Sequence, residues 1–309
     1  MASENNKRRR RLRICLSVDF DAVSGYLGTG YDPKNTLADF SAGIFSANVG
    51  VGRLLTLFKK HGISDKVSWY VPGHSLETFP TQAKAIAESG AEIGLHGYSH
   101  EGAYAMTVEQ EEDVLKKCIE LATVLRGGTR PVGYRAPLYQ IRETTVRLLQ
   151  KYEFSYDTSM NAHDSLPYFL PNPFLGEPPL APDYQQKAET WMKPAVIPAQ
   201  PVRGTAEAQK ALVEIPGSCV DVVEKMWWDR FDWIWENESW LDDGPGKDYG
   251  SIFPMIWHPE SAGRAHVVGM IDKFIGKLNE KMKTADSGEI TFETGEAIAS
   301  SWRQSAGSG

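Results

Sequence analysis

Short apolar segments alternate with helix-forming segments along the first half of this chain. Strands are predicted at residues 12–21, 67–71, 92–95, 132–135 and 154–158. Helices are predicted at residues 51–62, 81–89, 108–125 and 143–152. Because repeated strand–helix units build a parallel sheet with helices packed outside it, this alternation predicts an α/β fold. The length of 309 residues and the hydrophobic content of 41% suffice for one large core.

The regular alternation is interrupted twice. A glycine-rich segment at 24–46 is long enough to predict a lid or an oligomer contact, with a plain surface loop as the simpler alternative. Residues 160–205 contain many prolines and few periodic positions, which predicts a long irregular segment that covers part of the molecule. Neither segment indicates a second domain or an internal repeat.

Regular structure is predicted to resume in the last third of the chain. Strands are expected at 212–215 and 253–257, and a helix at 266–282. Residues 226–235 concentrate aromatic side chains between the two strands. If these side chains are exposed, they form a binding or subunit surface, and if they are buried they belong to the core.

Chemically reactive side chains stand where two predicted strands end. Asp19 and Asp21 are two residues apart on the first strand, so their carboxylates share one face. His96 and His100 follow the strand at 92–95 and can converge on one metal ion if the segment turns helically. Without the two acids, these histidines would be interpreted as structural. One acid and two imidazoles make a three-ligand site with open positions, and the remaining acid could act as a general base.

Further motifs accompany these residues in a fixed order. They are Ser17–Asp21, Trp69–Glu77, Glu92–Glu101, Gly133–Pro137, Tyr156–Ser159 and Trp257–Pro259. Together they resemble the polysaccharide deacetylase family, also known as carbohydrate esterase family 4. The resemblance is strongest to the branch that contains intracellular peptidoglycan-deacetylase-like proteins, cyclic imide hydrolases and a type of allantoinase. It covers most of the chain.

The resemblance implies a distorted TIM-like (β/α) barrel with about seven parallel strands in a single domain. In such barrels the site lies at the carboxyl ends of the strands, where Asp21, His96 and Arg135 fall. We expect the barrel domain to span residues 12–300. Residues 1–11 are expected to form a basic, disordered N-terminal tail, and residues 301–309 a C-terminal tail. The branch also implies a homotetramer, in which the aromatic segment would serve as both pocket wall and subunit contact.

The resemblance assigns roles to individual residues. It makes Asp21, His96 and His100 the ligands of Zn²⁺, or of another divalent transition metal such as Co²⁺, Ni²⁺ or Mn²⁺. Asp19 would be the general base, Arg135 the cation that orients it, and His258 the general acid that protonates the leaving nitrogen. Asp157 and Asp164 are weaker candidates for orienting His258 or contacting the substrate. The other weaker candidates, for contacts with the substrate or with the ligands, are His74, Glu77, Tyr98 and Trp257.

Charge and cysteine content restrict the partners and the compartment. A net charge of −7 argues against nucleic acids and anionic membranes as partners, and the basic run at 7–11 is expected to be a solvated tail. No apolar stretch resembles a secretion signal or an uninterrupted membrane span. Cys15, Cys118 and Cys219 are odd in number and lack ligand-like spacing, which fits a reducing compartment. A cytoplasmic location is therefore expected.

We therefore expect metal-dependent hydrolysis of a non-peptide C–N bond by metal-activated water. The favoured reaction is deacylation of a small N-acyl substrate, such as an amide or an N-acetyl sugar, because the irregular segment and the aromatic cluster would close an open groove. Opening of a cyclic imide or ureide ring is the alternative within the enzyme class. The alternative from another class is an inactive binding module on the same barrel.

Overall fold

The strands of the protein form one sheet that is almost entirely parallel. The computed structural model describes residues 9–27, 36–170, 182–194, 199–217, 224–242, 247–285 and 288–305. The strands in these ranges are β1 (Arg10–Asp19), β2 (Val67–Val71), β3 (Glu92–Leu95), β4 (Gly133–Tyr134), β5 (Tyr156–Asp157), β6 (Tyr168–Leu170), β7 (Leu212–Glu214), β8 (Ser251–Trp257) and β9 (Gly288–Phe292). Their order is β6-β7-β5-β4-β3-β2-β1-β8, and β9 pairs with β1. Among these pairs β6–β7 alone is antiparallel, so the predicted parallel sheet is confirmed.

The first strand pairs with three other strands, more than any other strand in the described ranges. One edge of β1 pairs with β8 along Leu12–Val18. The other edge pairs first with β9 along Arg10–Ile14 and then with β2 along Leu16–Asp19. Every residue from Leu12 to Asp19 is buried. A strand that is paired on both edges and covered on both faces is held firmly, and this strand ends at an acid.

Helices pack around the sheet. The α-helices in the described ranges are α1 (Leu37–Phe45), α2 (Val51–His61), α3 (Gly73–Thr78), α4 (Pro80–Glu88), α5 (Val108–Leu125), α6 (Glu143–Lys151), α7 (Ala206–Lys210), α8 (Glu224–Asn237), α9 (Pro259–Ala262), α10 (Ala265–Thr284) and α11 (Gly295–Gln304). The predicted end of α2 is confirmed at Gly62, whose φ of 68° suits a glycine. The predicted bounds of α5 are also confirmed, and Thr107 and Gln110 form a capping box at its start.

Several elements differ from the sequence-based expectation. The segment at 24–46 contains helix α1 in addition to loop, and its residues 28–35 lie outside the described ranges. The irregular segment at 160–205 contributes the antiparallel strand β6, and its residues 171–181 and 195–198 are likewise not described. Within the described ranges the sheet has nine strands, where about seven parallel strands were expected. Regular structure also enters both predicted tails, since β1 begins at Arg10 and α11 ends at Gln304.

One continuous helical segment is long and apolar enough to match the length and composition of a membrane span. It runs from Leu37 to His61 through α1, a π-turn and α2, with a mean hydropathy of 1.2 in its most apolar window. No such segment was expected from the sequence. Its second half buries Leu54 and Phe58 in the core, and buried core helices share these properties. Length and composition are therefore weak grounds for a membrane span here.

The aromatic segment at 226–235 forms part of α8 and is divided between core and surface. Trp227 and Phe231 are buried, whereas Met226 and Trp233 are 52% and 62% exposed. Trp227 packs against Trp257, with 6.0 Å between their ring centroids. The inner face of α8 thus supports the strand that precedes His258.

Two of the three cysteines lie within the described residues, and both are buried and free. Burial raises the pKa of the Cys15 and Cys118 thiols to about 12, so neither is poised to react. Cys219 lies outside the described residues.

Two backbones approach closely where the helical segment at 37–61 meets α9, the short helix that follows His258. A side chain at Gly50 would overlap the carbonyl group of Pro259, and one at Gly263 would come within 2.5 Å of the Gly50 Cα atom. Gly52 lies two residues further along and is exposed, and a Cβ atom added there would meet no heavy atom of the described residues within 4 Å. The contact at Gly50 therefore constrains the segment that carries His258, whereas Gly52 makes no such contact.

We expect Gly50→Ala to lower the free energy of unfolding by about 1–3 kcal/mol, because backbone atoms on both sides must move. Gly52→Ala is the matched control and should raise that free energy by up to about 1 kcal/mol through its higher helix propensity. Urea unfolding of the two variants and the wild type measures both values. Equal stability of the two variants would contradict the proposed contact.

Candidate active site

The carboxyl ends of four strands, out of five that are consecutive in the sheet, carry the predicted reactive residues. Asp19 ends β1 and Asp21 follows it, while His96 directly follows β3. Arg135 follows β4, and His258 follows β8. Because β4, β3, β2, β1 and β8 are consecutive in the sheet and parallel, these side chains emerge at the same edge.

The three predicted metal ligands converge. Nε2 of His96 lies 3.4 Å from Oδ1 of Asp21, and Nε2 of His100 lies 3.6 Å from its Oδ2. One ligand atom from each of the three residues falls within 4.8 Å of the other two. All three side chains are buried. The group could therefore hold a single cation.

The loop that carries the two imidazoles is irregular, not the helical turn expected from the spacing. Gly97 has a φ of 65° and His100 a φ of 60°, which is unusual for a residue with a side chain. The carboxylate of Glu101 accepts hydrogen bonds from the backbone N–H groups of Tyr98 and Ser99, which fixes the loop. Left-handed backbone, in place of helical periodicity, brings His100 beside His96.

Both imidazoles have an unprotonated nitrogen available for a cation. Nδ1 of His96 donates to the carbonyl oxygen of Arg135 at 2.8 Å, which leaves the lone pair on Nε2 facing Asp21. Burial lowers the pKa of His96 below its ordinary value, and burial together with the charge of His96 lowers the pKa of His100 to about 3. Neutral imidazoles are the form that binds metal.

The chemistry of the donor set fits a divalent cation. Burial raises the pKa of Asp21 well above its ordinary value. Within the described part of the chain, Oδ1 of Asp21 and Nδ1 of His100 are buried without a hydrogen-bond partner. A buried carboxylate without a hydrogen bond is costly unless a positive charge compensates it. A cation beside Asp21 would supply that charge.

Asp19 has a different environment although it is only two residues away. Its Oδ1 accepts a hydrogen bond from Nη1 of Arg135. Burial acts to raise the pKa of Asp19, but the charges of Arg135 and the nearby histidines outweigh it and lower the pKa below its ordinary value. Arg135 is itself held by Ser17 Oγ, at 3.0 Å, and it stacks on the ring of Tyr70. Asp19 is therefore kept ionised by a fixed partner.

His258 lies on the solvent side of the two acids. Its Nε2 is 3.6 Å from Oδ2 of Asp19 and 3.7 Å from Oδ2 of Asp21. Burial acts to lower the pKa of His258, but Asp19, Asp21 and Glu260 outweigh it and raise the pKa above its ordinary value. Its side chain is 31% exposed, so it can meet a molecule that enters from solvent.

Glu260 belongs to the same group and was not recognised from the sequence. It could share a cation with Asp21 and His258, and its Oε2 accepts a hydrogen bond from Ser46 Oγ at 3.1 Å. Its position two residues after His258 was the available signal, but an acid in the first turn of a helix is common and needs no further explanation.

Three weaker candidates lie close together: His74 and Glu77 are on α3, and Tyr98 is in the loop after β3. Nδ1 of His74 contacts Ser24 Oγ at 3.1 Å. The hydroxyl of Tyr98 donates to Glu77 at 2.6 Å, and that hydrogen bond raises the pKa of Tyr98 to about 12. Glu77 is exposed, so this pair lies at the rim and not among the buried acids.

The other three weaker candidates have contacts different from those expected. The described hydrogen bonds of Asp157 go to Ser159, and its neighbour in the next strand is Glu214, so the expectation that it orients His258 is not supported. Asp164 is 72% exposed and lies beside His163. Trp257 is buried in the core. Its ring stacks on Phe58 with an interplanar angle of 13°.

Comparison with known proteins shows similarity to polysaccharide and peptidoglycan deacetylases. The sequence model of the family described as "Polysaccharide deacetylase" matches residues 40–156. The chain is 46% identical to "Peptidoglycan deacetylase-like protein FGM2" of Gibberella zeae over 286 residues, which are 88% of this chain and 82% of the relative. It is 37% identical to "Peptidoglycan deacetylase" of Helicobacter pylori over 284 residues, with coverage of 88% and 91%.

Solved structures share the fold. A structure from Mycobacterium smegmatis, described as a polysaccharide deacetylase, superposes with a TM-score of 0.70 at 21% identity over 98% of this chain and 93% of the other. The structure described as "Puue Allantoinase" gives a TM-score of 0.68 at 18% identity, with coverage of 97% and 92%. At these identities the similarity concerns the fold alone, and it confirms the predicted (β/α)-barrel class.

A carboxylate and two imidazoles beside a second acid, at the carboxyl ends of parallel strands, are typical of metal-dependent hydrolases. The chain belongs to the polysaccharide deacetylase family. The protein is accordingly a hydrolase of carbon–nitrogen bonds other than peptide bonds.

We expect His100→Ala to weaken Zn²⁺ binding by on the order of 10²-fold or more, because loss of even an outer partner of a ligand costs 10–100-fold. His266→Ala is the control, since His266 is exposed on α10. Calorimetric titration of Zn²⁺ into chelator-treated protein measures both affinities. An unchanged affinity in His100→Ala would show that the cation binds elsewhere.

Proposed function

We propose that the protein is a metal-dependent amidohydrolase that removes an acyl group from a small N-acyl substrate. The single observation that carries this proposal is the convergence of Asp21, His96 and His100 beside the separately paired Asp19. The names of the two curated relatives, both of which refer to peptidoglycan deacetylase, support an N-acetylated amine as the substrate class.

Asp21, His96 and His100 would hold the cation. A carboxylate and two neutral imidazoles suit Zn²⁺, and also accept Co²⁺, Ni²⁺ or Mn²⁺. Such a cation would polarise the amide carbonyl group and make a water molecule more acidic. The protein keeps one nitrogen of each imidazole, Nε2, deprotonated and directed at Asp21. The hydrogen bond from Nδ1 of His96 to the Arg135 carbonyl oxygen contributes to this.

Asp19 acts as the general base. Oδ1 is occupied by Arg135, whereas Oδ2 faces the space between His96 and His258, at 3.9 Å and 3.6 Å from their Nε2 atoms. Because the pKa of Asp19 is lowered, the carboxylate is ionised at neutral pH and can accept a proton from water as its oxygen attacks the carbonyl carbon. Arg135 keeps the base in place during this transfer.

His258 acts as the general acid. Its raised pKa keeps a proton available near neutral pH, and its exposure places that proton towards the incoming substrate. As the C–N bond breaks, the nitrogen takes the proton from His258 and leaves as an amine. The acyl group leaves as a carboxylic acid with the oxygen of water. Asp19 then returns the proton that it took from water to His258, whose Nε2 lies 3.6 Å from Oδ2 of Asp19, so both groups regain their starting protonation states.

Asp19→Asn should reduce kcat by about 10²–10⁴-fold, the contribution typical of a positioned base, while Zn²⁺ affinity stays close to the wild-type value. The control Asp113→Asn changes an acid that is 78% exposed and should alter neither quantity. Steady-state kinetics and Zn²⁺ calorimetry on the same preparations measure both. Full activity in Asp19→Asn would refute its role as base, and an absence of turnover in the wild type would favour a binding module.

A substrate panel separates deacylation from ring opening. We expect the wild type to release acetate from N-acetylglucosamine or its short oligomers, and not to open succinimide-like or hydantoin-like rings. Free acetate and ring-opened product are measured by chromatography at equal substrate concentrations. Preferential ring opening would show that the protein is a cyclic amidase and not a deacylase. The same catalytic groups would then act on a cyclic amide.

A further inference from the structure

A second pair of acids lies at the same edge of the sheet as the candidate site. Asp157 ends β5 and Glu214 ends β7, and the two residues are partners in the parallel register of these strands. Both side chains have 0% exposure. Both carboxylates accept the same backbone N–H, that of Ser159, so the two groups lie close together. Within the described residues, Oε2 of Glu214 is buried and has no other hydrogen-bond partner. Two ionised carboxylates this close and this far from water repel each other, and one proton held between them removes that repulsion.

The pair holds the turn that follows β5. The backbone N–H of Ser159 donates to Asp157 Oδ2 at 3.0 Å and to Glu214 Oε1 at 2.9 Å. The N–H of Met160 donates to the same Glu214 oxygen at 2.9 Å. The hydroxyl of Ser159 donates to Asp157 Oδ1 at 2.8 Å. Two acids thus fix three donors of one short segment.

This turn in turn holds Arg135. Nε of Arg135 donates to the carbonyl oxygen of Thr158, and Nη2 contacts Thr158 Oγ1, both at 3.4 Å. The backbone N–H of Ala136 donates to Ser159 Oγ at 2.8 Å. Both the guanidinium group of Arg135 and the backbone that follows it therefore rest on the turn at 158–160.

Arg135 has two links to the reacting groups. Its side chain holds Asp19, and its carbonyl oxygen accepts the proton of His96 Nδ1. A displacement of the turn at 158–160 would be passed to both. Misplacement by about 1 Å can cost on the order of 10²-fold in rate even when the change is remote from the chemistry.

We propose that Asp157 and Glu214 are positioning residues that share one proton and align Arg135 with Asp19. This inference rests on the proposed function, in which Asp19 is the base. Burial raises the pKa of both carboxyl groups, which agrees with a retained proton. The proton belongs to Oε2 of Glu214, which makes Glu214 the donor of the pair. Oε1 of Glu214 already accepts two N–H groups, and Asp157 accepts hydrogen bonds from Ser159 at both of its oxygens.

Two nearly isosteric variants test the shared proton. Glu214→Gln keeps one oxygen for the two N–H groups and supplies an N–H towards Asp157, so we expect kcat close to the wild-type value. Asp157→Asn places an N–H where an acceptor is required, so we expect kcat to fall by on the order of 10²-fold with little change in KM. Glu88→Gln and Asp113→Asn are matched controls at exposed positions.

A readout without substrate accompanies the kinetics. In ¹⁵N spectra of the zinc-loaded protein, the Arg135 Nε–H signal should be the same in the wild type and Glu214→Gln, and shifted in Asp157→Asn. Equal kcat and an unshifted signal in both variants would overturn the positioning role. Equal damage in both variants would overturn the shared proton, since the amide would then fail to replace the protonated acid.

The two proposals fail in distinguishable ways. If the wild type has no turnover, or if Asp19→Asn retains turnover, the proposed function fails. The Arg135 Nε–H signal still tests whether Asp157 and Glu214 position Arg135. If turnover depends on Asp19 but is unaffected by Asp157→Asn in folded protein, the positioning role alone fails. Urea unfolding of each variant establishes that the measured protein is folded.

Discussion

Two carboxylates buried at one end of β1 are the constraint on which this molecule depends. Asp19 and Asp21 are 2% and 7% exposed, and a charge so far from water is costly unless another charge compensates it. The protein provides that charge for Asp19 through Arg135, whereas Asp21 faces the two neutral imidazoles of His96 and His100 and has only His258, which it shares with Asp19. Burial still raises the pKa of Asp21 well above its ordinary value, so Asp21 retains a proton or binds a cation. The candidate site depends on this difference in charge compensation between Asp19 and Asp21.

The compensation of Asp19 extends well beyond the ion pair. The guanidinium group of Arg135 is fixed by Ser17 on the same strand as Asp19 and by Thr158 on the turn after β5. That turn is anchored by Asp157 and Glu214. Residues on or directly after four strands, β1, β4, β5 and β7, thus contribute to the position of the Arg135 guanidinium group. A parallel sheet brings such residues together at one edge.

Local signals were sufficient for the long elements and for the types of reactive residue. The periodicity of α5 and the glycine after α2 gave correct helix ends, because these signals act within a few residues. Strands β6 and β9 were missed because they are short and gain their stability from distant partners. The loop at 96–101 was predicted as a helical turn, since a spacing of four residues does not reveal that His100 has a positive φ.

The sequence by itself determined which reactive side chains the chain carries and that they follow strands, because hydrophobic pattern and residue type are local properties. It also determined the family, through the order of the motifs. Only the tertiary structure decided which acid is paired with arginine, since Asp19 and Asp21 are the same residue type and Arg135 lies 116 positions from Asp19. Tertiary structure likewise placed Asp157 beside Glu214 and not beside His258. Both outcomes depend on strand order and register, which arise from packing of the whole sheet.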